Sequence, residues 1–271
     1  MLFLTVILIF TVFPLVYTIL ASFKTNTEIM TEPGKILPSH WNLENYQAVM
    51  KSKNFDIVRM LANSIIYTGL NVLIKLFVGI TCGYVFATGR FKYKNIIFVC
   101  FTALMFIKGG GLDIYAKFQI FDLLKIPQTL WSLVLLHLFS VPIIEMYLVR
   151  GYIEGLPKGL AEAAKIDGCG YSGILFRIYL PLLLPIVATI TILSFQASWN
   201  EYLMPTMFTL TRPEQRTLIV GLMALKNGDQ AATSWNLMLA GSVIAIIPVL
   251  VIYAFCNKLF VQGITEGAIK G

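Results

Sequence analysis

The feature that most constrains this chain is a series of long apolar stretches that carry almost no charged side chains. Residues 1–23 contain no charge, and a helix of that length is about 35 Å long, more than the roughly 30 Å hydrocarbon core of a bilayer. The whole sequence is 57% apolar and 13% charged, whereas soluble domains are about 25% charged. The pattern therefore predicts an integral membrane protein.

The charged positions divide the chain into six predicted spans, which makes the expected fold all-α and polytopic. The expected bounds are residues 1–23, 59–90, 95–108, 128–149, 178–200 and 230–257. The third stretch meets Lys108 too early to cross alone, so it must borrow residues from the turn before it or from the glycines at 109–111. We expect one permease-like domain over residues 1–271, with an N-terminal span, a five-span core at about 59–257 and a tail at 258–271. An even number of spans places both termini on one side.

Smaller features are expected between and within the spans. The polar segment after the first span is expected to hold a short helix near residues 42–50, and an amphipathic piece is expected at 115–125. Pro142 and Pro248 are expected to kink the spans that contain them. The first span lacks the basic start of a signal peptide, so we expect it to be retained.

The formal net charge of +7 fits an anionic lipid surface better than nucleic acid, because no run of cations is long enough to follow a phosphate backbone. The four cysteines stand singly, which predicts neither a disulfide framework nor a metal site. Lysines and arginines are nearly balanced between the two sets of loops, so their count does not orient the chain. The acid-free cluster of Arg90, Lys92 and Lys94 favours termini inside.

One segment interrupts the apolar pattern, and it reads EAAKIDGCGYSGILFRIYLPLLLP. Good helix formers at 158–167, after Pro157, predict a short helix that Gly168 ends in a left-handed conformation. Ser172 is expected to cap a second helix that feeds into the fifth span. Pro181 and Pro185 are expected to bend that entry. The result is a helix–turn–helix at the membrane surface.

The letters GCGYSG within this segment match the dinucleotide fingerprint GxGxxG, but the match is a coincidence. That motif requires a preceding strand in a soluble βαβ unit, and here it follows a helix between two membrane spans. No GxxxxGK[ST] sequence occurs in the chain, so it has no phosphate-binding loop of that kind. We therefore expect no cofactor in this chain and no enzymatic activity of its own.

The first helix of the segment carries little side-chain bulk at Ala161, Ala163 and Ala164, with Glu162 and Asp167 beside them. Another protein could approach such a bare backbone closely. From the residues alone, a solvated amphipathic loop and a docking element both remain open.

The whole segment resembles the EAA loop of the permease subunits of binding-protein-dependent ABC importers. SWNEYLMP (198–205), FVQGITEGAIKG (260–271) and LPSHWNLENYQAV (37–49) resemble the carbohydrate-uptake branch of that family, and in particular the second maltose permease. The similarity extends over nearly the whole chain. One departure is Cys169, where the family usually has alanine.

The resemblance implies a function and a set of partners. The chain would form part of the path for a sugar or oligosaccharide in a bacterial cell membrane, with the EAA loop and both termini in the cytoplasm. It would pair with a homologous permease, identical or not, with two ATPase subunits that bind ATP and Mg²⁺, and with an extracytoplasmic sugar-binding protein. Glu162, Ala163, Ala164, Asp167 and Gly168 would couple it to the ATPase. The alternative is a secondary transporter or channel driven by an ion gradient.

Five other polar or aromatic positions are weighed as candidate functional residues. Trp199, Asn200 and Glu201 combine an aromatic face with an amide and a carboxylate, which suits sugar binding but also suits an interfacial anchor and a helix end. Lys75 lies in mid-span and must face protein or water, as a contact to the partner permease or in the path. His137 stands alone on an apolar span and is expected to be a packing residue.

Overall fold

The computed structural model describes residues 1–51, 55–107, 111–157, 159–226 and 234–268, and its regular structure there is helical. The helices in chain order are α1 (Leu2–Ala21), α2 (Asn26–Thr31), α3 (Glu44–Lys51), α4 (Ile57–Thr88), α5 (Lys94–Leu104), α6 (Gly111–Leu123), α7 (Leu130–Leu138), α8 (Ile143–Glu154), α9 (Gly159–Ile166), α10 (Tyr171–Leu182), α11 (Leu184–Trp199), α12 (Leu203–Phe208), α13 (Leu218–Lys226) and α14 (Trp235–Ala268). The all-α prediction is confirmed for these residues, and the helix expected near 42–50 is α3.

Four stretches among the described residues are long and apolar enough to cross a membrane, and the bent pair α10–α11 makes a fifth. The four are Phe3–Ala21, Ile57–Thr88, Leu130–Glu154 and Trp235–Asn257. The third predicted span is not found as one crossing helix, because α5 has 11 residues and so measures only about 16 Å. Of the glycines at 109–111, from which that span could borrow, Gly109 and Gly110 lie outside the described residues and Gly111 begins α6.

The two prolines that were expected to kink their spans differ in their position relative to the helices. The Leu130–Glu154 stretch is interrupted at 139–142, where Pro142 immediately precedes α8. By contrast, α14 continues through Pro248 and on to Ala268, so most of the expected tail is helical. Residues 269–271 lie outside the described part.

The first of two compact units comprises Met1–Ile66 and Asn200–Leu250. Its polar core is built around Asn45, whose Nδ2 donates to the carbonyl oxygens of Ser22 (2.7 Å) and Lys24 (2.8 Å) and whose Oδ1 accepts from Asn236 (2.8 Å). Asn63 donates to the carbonyl of Arg216 at 3.1 Å. These bonds tie the segment after α1 to the start of α14, and α4 to the segment before α13.

The second unit comprises Tyr67–Trp199 and Val251–Gly271, and its core lies where α4 meets α8. Two glycines of α4 make the approach close. A Cβ atom at Gly79 would lie 2.7 Å from Cβ of Glu145, and one at Gly83 would lie 2.6 Å from Cβ of Val149. Any larger residue at either position would push the two helices apart.

Helix α4 and the α7–α8 stretch run in the same direction. Tyr67 contacts His137, Lys75 contacts Glu145, and Gly83 contacts Val149, so the partner's number rises along α4. Two neighbouring helices in one chain can run parallel only if the chain returns between them. This return falls in residues 89–129.

Candidate functional site

The predicted surface helix is present as α9, and its alanines divide between two environments. Ala164 is only 4% exposed and packs in the core of the second unit with Tyr84 and Ile153, while Ala161 packs against the same core. Ala163 is exposed. The alanines therefore do not form one bare outer patch as expected, because two of them let α9 lie close to its own chain.

The outward face of α9 carries Glu162, Ala163 and Ile166, all exposed. Ile166 is 86% exposed, although a β-branched apolar side chain gains free energy from burial. Sequence reasoning missed Ile166, and the helical spacing of three to four residues from Glu162 and Ala163 was the signal that could have found it. Asp167 is exposed directly after it. This face therefore presents the exposed apolar side chain of Ile166 beside the carboxylates of Glu162 and Asp167.

Gly168, two residues after the end of α9, has the predicted left-handed conformation, with φ of +80°. The N–H of Cys169 donates to the carbonyl of Ala164 at 2.9 Å, and the N–H of Gly168 donates to that of Lys165 at 3.1 Å. This pair of bonds defines a Schellman motif, which satisfies two carbonyls at the helix end. A Cβ at Gly168 would meet nothing within 4 Å, so glycine is required here by the backbone angle and not by space.

The second helix of the loop, α10, begins at Tyr171 with Gly170 at the N-cap position and no side-chain cap. The prediction that Ser172 caps it is wrong, because Ser172 already lies inside the first turn. The start of α10 is held by α4 instead. The Tyr84 hydroxyl donates to the Tyr171 carbonyl at 3.0 Å, and the two rings lie 4.5 Å apart. Thr88 and the Tyr171 hydroxyl add a bond of 3.0 Å.

Within α10 the backbone widens into a π-helix over Ile174–Tyr179. Pro181 follows, and because it has no N–H it cannot donate to the carbonyl of Arg177 as an α-helix would require. The chain then bends by 79° between Leu182 and Leu184. Pro181 and Pro185 flank this bend, so the predicted effect of the two prolines is confirmed.

A charged pair that the sequence did not assign lies deep in the second unit. Lys75 Nζ lies 3.9 Å from Glu145 Oε1, and Ser194 Oγ donates to the same carboxylate oxygen at 2.9 Å. Lys75 was expected to face either a partner permease or the path, and it has a counter-charge in its own chain. The pair joins α4, α8 and α11. The sequence signal that could have predicted this pair was a lysine in one predicted span and a glutamate in another.

His137 is held within the bundle as expected of a packing residue. Its Nε2 lies 3.4 Å from the Tyr67 hydroxyl, and the two rings meet edge to face with centroids 6.4 Å apart.

The three candidate sugar residues fall in different settings. Trp199 ends α11, is buried, and stacks on Phe195 with ring centroids 5.4 Å apart. Asn200 is exposed and Glu201 is partly exposed, in the segment before α12. One face of the Trp199 ring is thus already occupied by Phe195. A direct role of these residues toward a cargo stays a prediction.

Several apolar spans joined to a surface helix–turn–helix define this chain as a multi-pass membrane protein. A family model described as the binding-protein-dependent transport system inner membrane component matches residues 1–266. The chain belongs to this family, and the resemblance drawn from the EAA segment is confirmed.

Relatives of known name support the same assignment. The chain is 32% identical over 271 residues to the probable ABC transporter permease protein YurM of Bacillus subtilis, covering 99% of this chain and 87% of that protein. It is 33% identical over 262 residues to the arabinooligosaccharides transport system permease protein AraQ of Halalkalibacterium halodurans, covering 96% and 91%. A similar solved structure is a bacterial ABC transporter involved in the import of the acidic polysaccharide alginate, with a TM-score of 0.82, 22% identity and coverage of 96% and 94%.

Proposed function

We propose that this chain is the permease subunit of an ABC importer that carries a sugar or oligosaccharide across a bacterial cell membrane. The observation that carries the proposal is the surface loop formed by α9, the turn at Gly168 and the start of α10. Its first helix is stopped by a Schellman turn, its second helix is bonded to the end of α4, and one face with Glu162 and Ile166 remains exposed. Relatives named for arabinooligosaccharide and galactooligosaccharide transport support a carbohydrate cargo.

The assembly proposed for this chain has four kinds of component. ATP and Mg²⁺ would bind to two ATPase subunits, since the sequence holds no GxxxxGK[ST] motif. A second permease, homologous or a copy of this chain, would complete the path, and an extracytoplasmic binding protein would deliver the sugar. Membrane lipid would surround the exposed apolar faces of helices such as α1.

We propose six crossings, with α5 and the residues after it forming the third. The parallel direction of α4 and α8 supports this number, because the chain must return between them. The return begins at α5. Lys94 Nζ at its start donates to the carbonyl of Ala87 in α4 at 3.0 Å. The ring of Phe98 stacks on that of Tyr147 in α8, with centroids 6.1 Å apart. The loop at 150–177 and both termini would then lie in the cytoplasm.

Labelling of introduced cysteines tests this orientation. In a cysteine-free background, Lys165→Cys should react with a membrane-impermeant maleimide only after the cells are opened. The matched control is Lys35→Cys, in the segment proposed to lie outside, which should react in intact cells. Labelling of position 165 from outside would contradict the proposed orientation.

Each coupling residue takes a distinct role in the docking proposal. Ile166 and Ala163 would contact the ATPase directly, with Glu162 and Asp167 beside them as charged groups. Ala164 would act from behind by keeping α9 against its own core. Gly168 would fix the angle between α9 and the chain that follows.

A substitution series on α9 tests the docking proposal. Ile166→Asp should abolish the binding-protein stimulation of ATP hydrolysis without lowering the amount of permease in the membrane, since the side chain is exposed. Glu162→Ala should do so more mildly. Lys165→Ala, on the same helix, is the matched control. Normal stimulation in Ile166→Asp would remove this face from the interface.

Uptake by reconstituted complexes tests the function itself. Vesicles that contain this chain, its partner permease and the ATPase should import sugar only with ATP inside and loaded binding protein outside. The lone chain should import none. Sugar uptake by the lone chain under an ion gradient would favour the secondary transporter or channel instead.

The proposed cargo contact is tested at the end of α11. Asn200→Ala and Glu201→Ala should lower sugar uptake while the complex with the ATPase still assembles, if the amide and carboxylate contact sugar. Unchanged uptake kinetics in both variants would leave the segment at 199–201 as a helix end.

A further inference from the structure

The turn between α4 and α5 concentrates positive charge in a short stretch of chain. Arg90, Lys92 and Lys94 stand at alternate positions there. The sequence has no acidic residue from position 57 to position 112, so these cations have no counter-charge along their own part of the chain. A concentration of one sign of charge attracts partners of the opposite sign.

Contacts with α4 fix the position of this turn. Lys94 Nζ donates to the carbonyl oxygens of Ala87 at 3.0 Å and Gly89 at 3.1 Å, so it closes the end of α4. The ring of Phe91 packs edge to face on that of Phe86, with centroids 5.7 Å apart. Because α4 holds both Lys94 and Phe91, the backbone between these two residues has a defined position.

Two of the three cations remain at the surface of the turn. Arg90 and Lys92 are both exposed, and Lys92 Nζ lies 5.0 Å from the ring centroid of Tyr93. Glu154 of α8 lies near the turn, but its Oε1 accepts a bond of 2.7 Å from Nε of Arg150 in the same helix. That pair carries no net charge, so the surface of the turn stays positive.

The exposed face of α5 indicates the depth of the turn in the membrane. Ile96 and Val99 are three residues apart on one face of α5, and they are 61% and 62% exposed. In a membrane protein such an apolar face contacts lipid chains. Ile96 lies only about 3 Å along the helix axis from Lys94, so the charged turn lies where the headgroups begin. Tyr93, which is exposed beside it, is of the aromatic type enriched at that level.

The cations and the apolar face together select a phospholipid as the partner. The cations match a negative headgroup, and the apolar face next to them matches acyl chains. A soluble acidic protein would meet the cations but would leave Ile96 and Val99 uncovered. An anionic headgroup fits better than a zwitterionic one, because a zwitterionic headgroup carries its own cation and so loses the attraction of the turn.

We propose that Arg90, Lys92, Ile96 and Val99 form a headgroup site, which binds an anionic phospholipid of the bilayer. Arg90 and Lys92 contact the phosphate, and the acyl chains run along Ile96 and Val99. The site concerns the lipid around the chain. It therefore holds whatever the cargo is and whichever way the chain is oriented.

A tryptophan beside the headgroup site can report which lipid is bound there. Cys100 is exposed one helical turn after Ile96, so Cys100→Trp places the probe next to the site. The full chain is reconstituted in vesicles of phosphatidylcholine and phosphatidylglycerol, one of which has brominated chains that quench tryptophan fluorescence. The chain without the introduced tryptophan gives the background. Exchanging the brominated lipid yields the relative binding constant, and we expect phosphatidylglycerol to be preferred.

Charge substitutions in this probe background test the two cations. Arg90→Gln should lower the preference for phosphatidylglycerol over phosphatidylcholine about 5-fold at low salt, and Arg90→Gln with Lys92→Gln should lower it about 30-fold. Arg90→Lys with Lys92→Arg keeps both charges and should keep the preference. The matched control is Lys51→Gln with Arg212→Gln, which removes two exposed cations elsewhere. It should leave the preference unchanged.

Four outcomes would overturn the headgroup site. An equal preference with and without the Arg90 and Lys92 charges would show that these cations do not bind the headgroup. If a subunit also no longer co-purifies with that double variant, the turn is a protein contact. An equal loss in the control would assign the preference to net charge alone. Displacement of phosphatidylglycerol by inorganic phosphate, but not by chloride at the same ionic strength, would assign the turn to a free anion.

Discussion

Replacement of Gly168 isolates the backbone angle on which the proposed coupling role of the surface loop depends. With φ of +80° and no atom within 4 Å of an added Cβ, Gly168→Ala creates no clash and changes only the backbone preference. The left-handed conformation costs an L-residue about 1–2 kcal/mol, so loops with another turn should become about 5- to 30-fold more populated. Uptake and stimulated ATP hydrolysis should fall while membrane abundance stays normal.

Three further variants make the Gly168 series decisive. Gly168→Asn should retain more uptake than Gly168→Ala, because asparagine enters the left-handed region more easily. Gly168→Asp shares that backbone tolerance but adds a second charge beside Asp167, and it should fail to couple. Gly170→Ala is the control, since Gly170 has φ of −71° and open space around it. Equal uptake in Gly168→Ala and the wild type, or less uptake in Gly168→Asn than in Gly168→Ala, would refute the reasoning.

Three other predictions concern the spans and the polar segment after α1. Lys75→Met leaves Glu145 buried without its counter-charge and should destabilise the complex by about 3–5 kcal/mol, while the double variant with Glu145→Leu should recover most of that loss in thermal unfolding. Tyr84→Phe removes the bond to the Tyr171 carbonyl and should weaken the loop by about 0.5–1.5 kcal/mol, seen as faster hydrogen exchange at the start of α10. Burial raises the pKa of Glu28, but hydrogen bonds from Ser39 and the charges of Lys35 and Lys24 outweigh it and lower the pKa. The stabilisation by Glu28 is therefore present at neutral pH and is lost as the pH falls through the lowered pKa, so the thermal midpoints of wild type and Glu28→Gln should converge in acid.

Local rules were sufficient to predict the turn after α9 and the bend after α10. Gly168 after a run of helix formers predicts a left-handed stop, since glycine alone adopts that angle without strain. Pro181 and Pro185 predict the bend because they remove N–H donors from the helix. Ser172 was misplaced because the start of the second helix depends on Tyr84 and Thr88 of a distant helix, which hold Tyr171.

Tertiary packing explains what the sequence could not supply. The inward direction of Ala164 depends on Tyr84 and Ile153, neither of which adjoins it in sequence. Lys75 and Glu145 were visible as charges in separate spans, but their pairing depends on α4 and α8 lying side by side. The exposure of Ile166 is likewise a consequence of how α9 rests on the core.

The two glycines of α4 set the mechanical character of the second unit. Gly79 and Gly83 lie against Glu145 and Val149, so α4 and α8 cannot slide past each other without a clash. The two helices should therefore move as one rigid body. Four residues separate the end of α8 from the start of α9, and Glu145 lies about 14 Å from that end along α8. If α9 docks on the ATPase as proposed, a displacement of α9 should therefore move α8 and α4 together. Another part of this unit would then have to bend. We expect that bending at the break after Leu182, where the helix axis already turns by 79°.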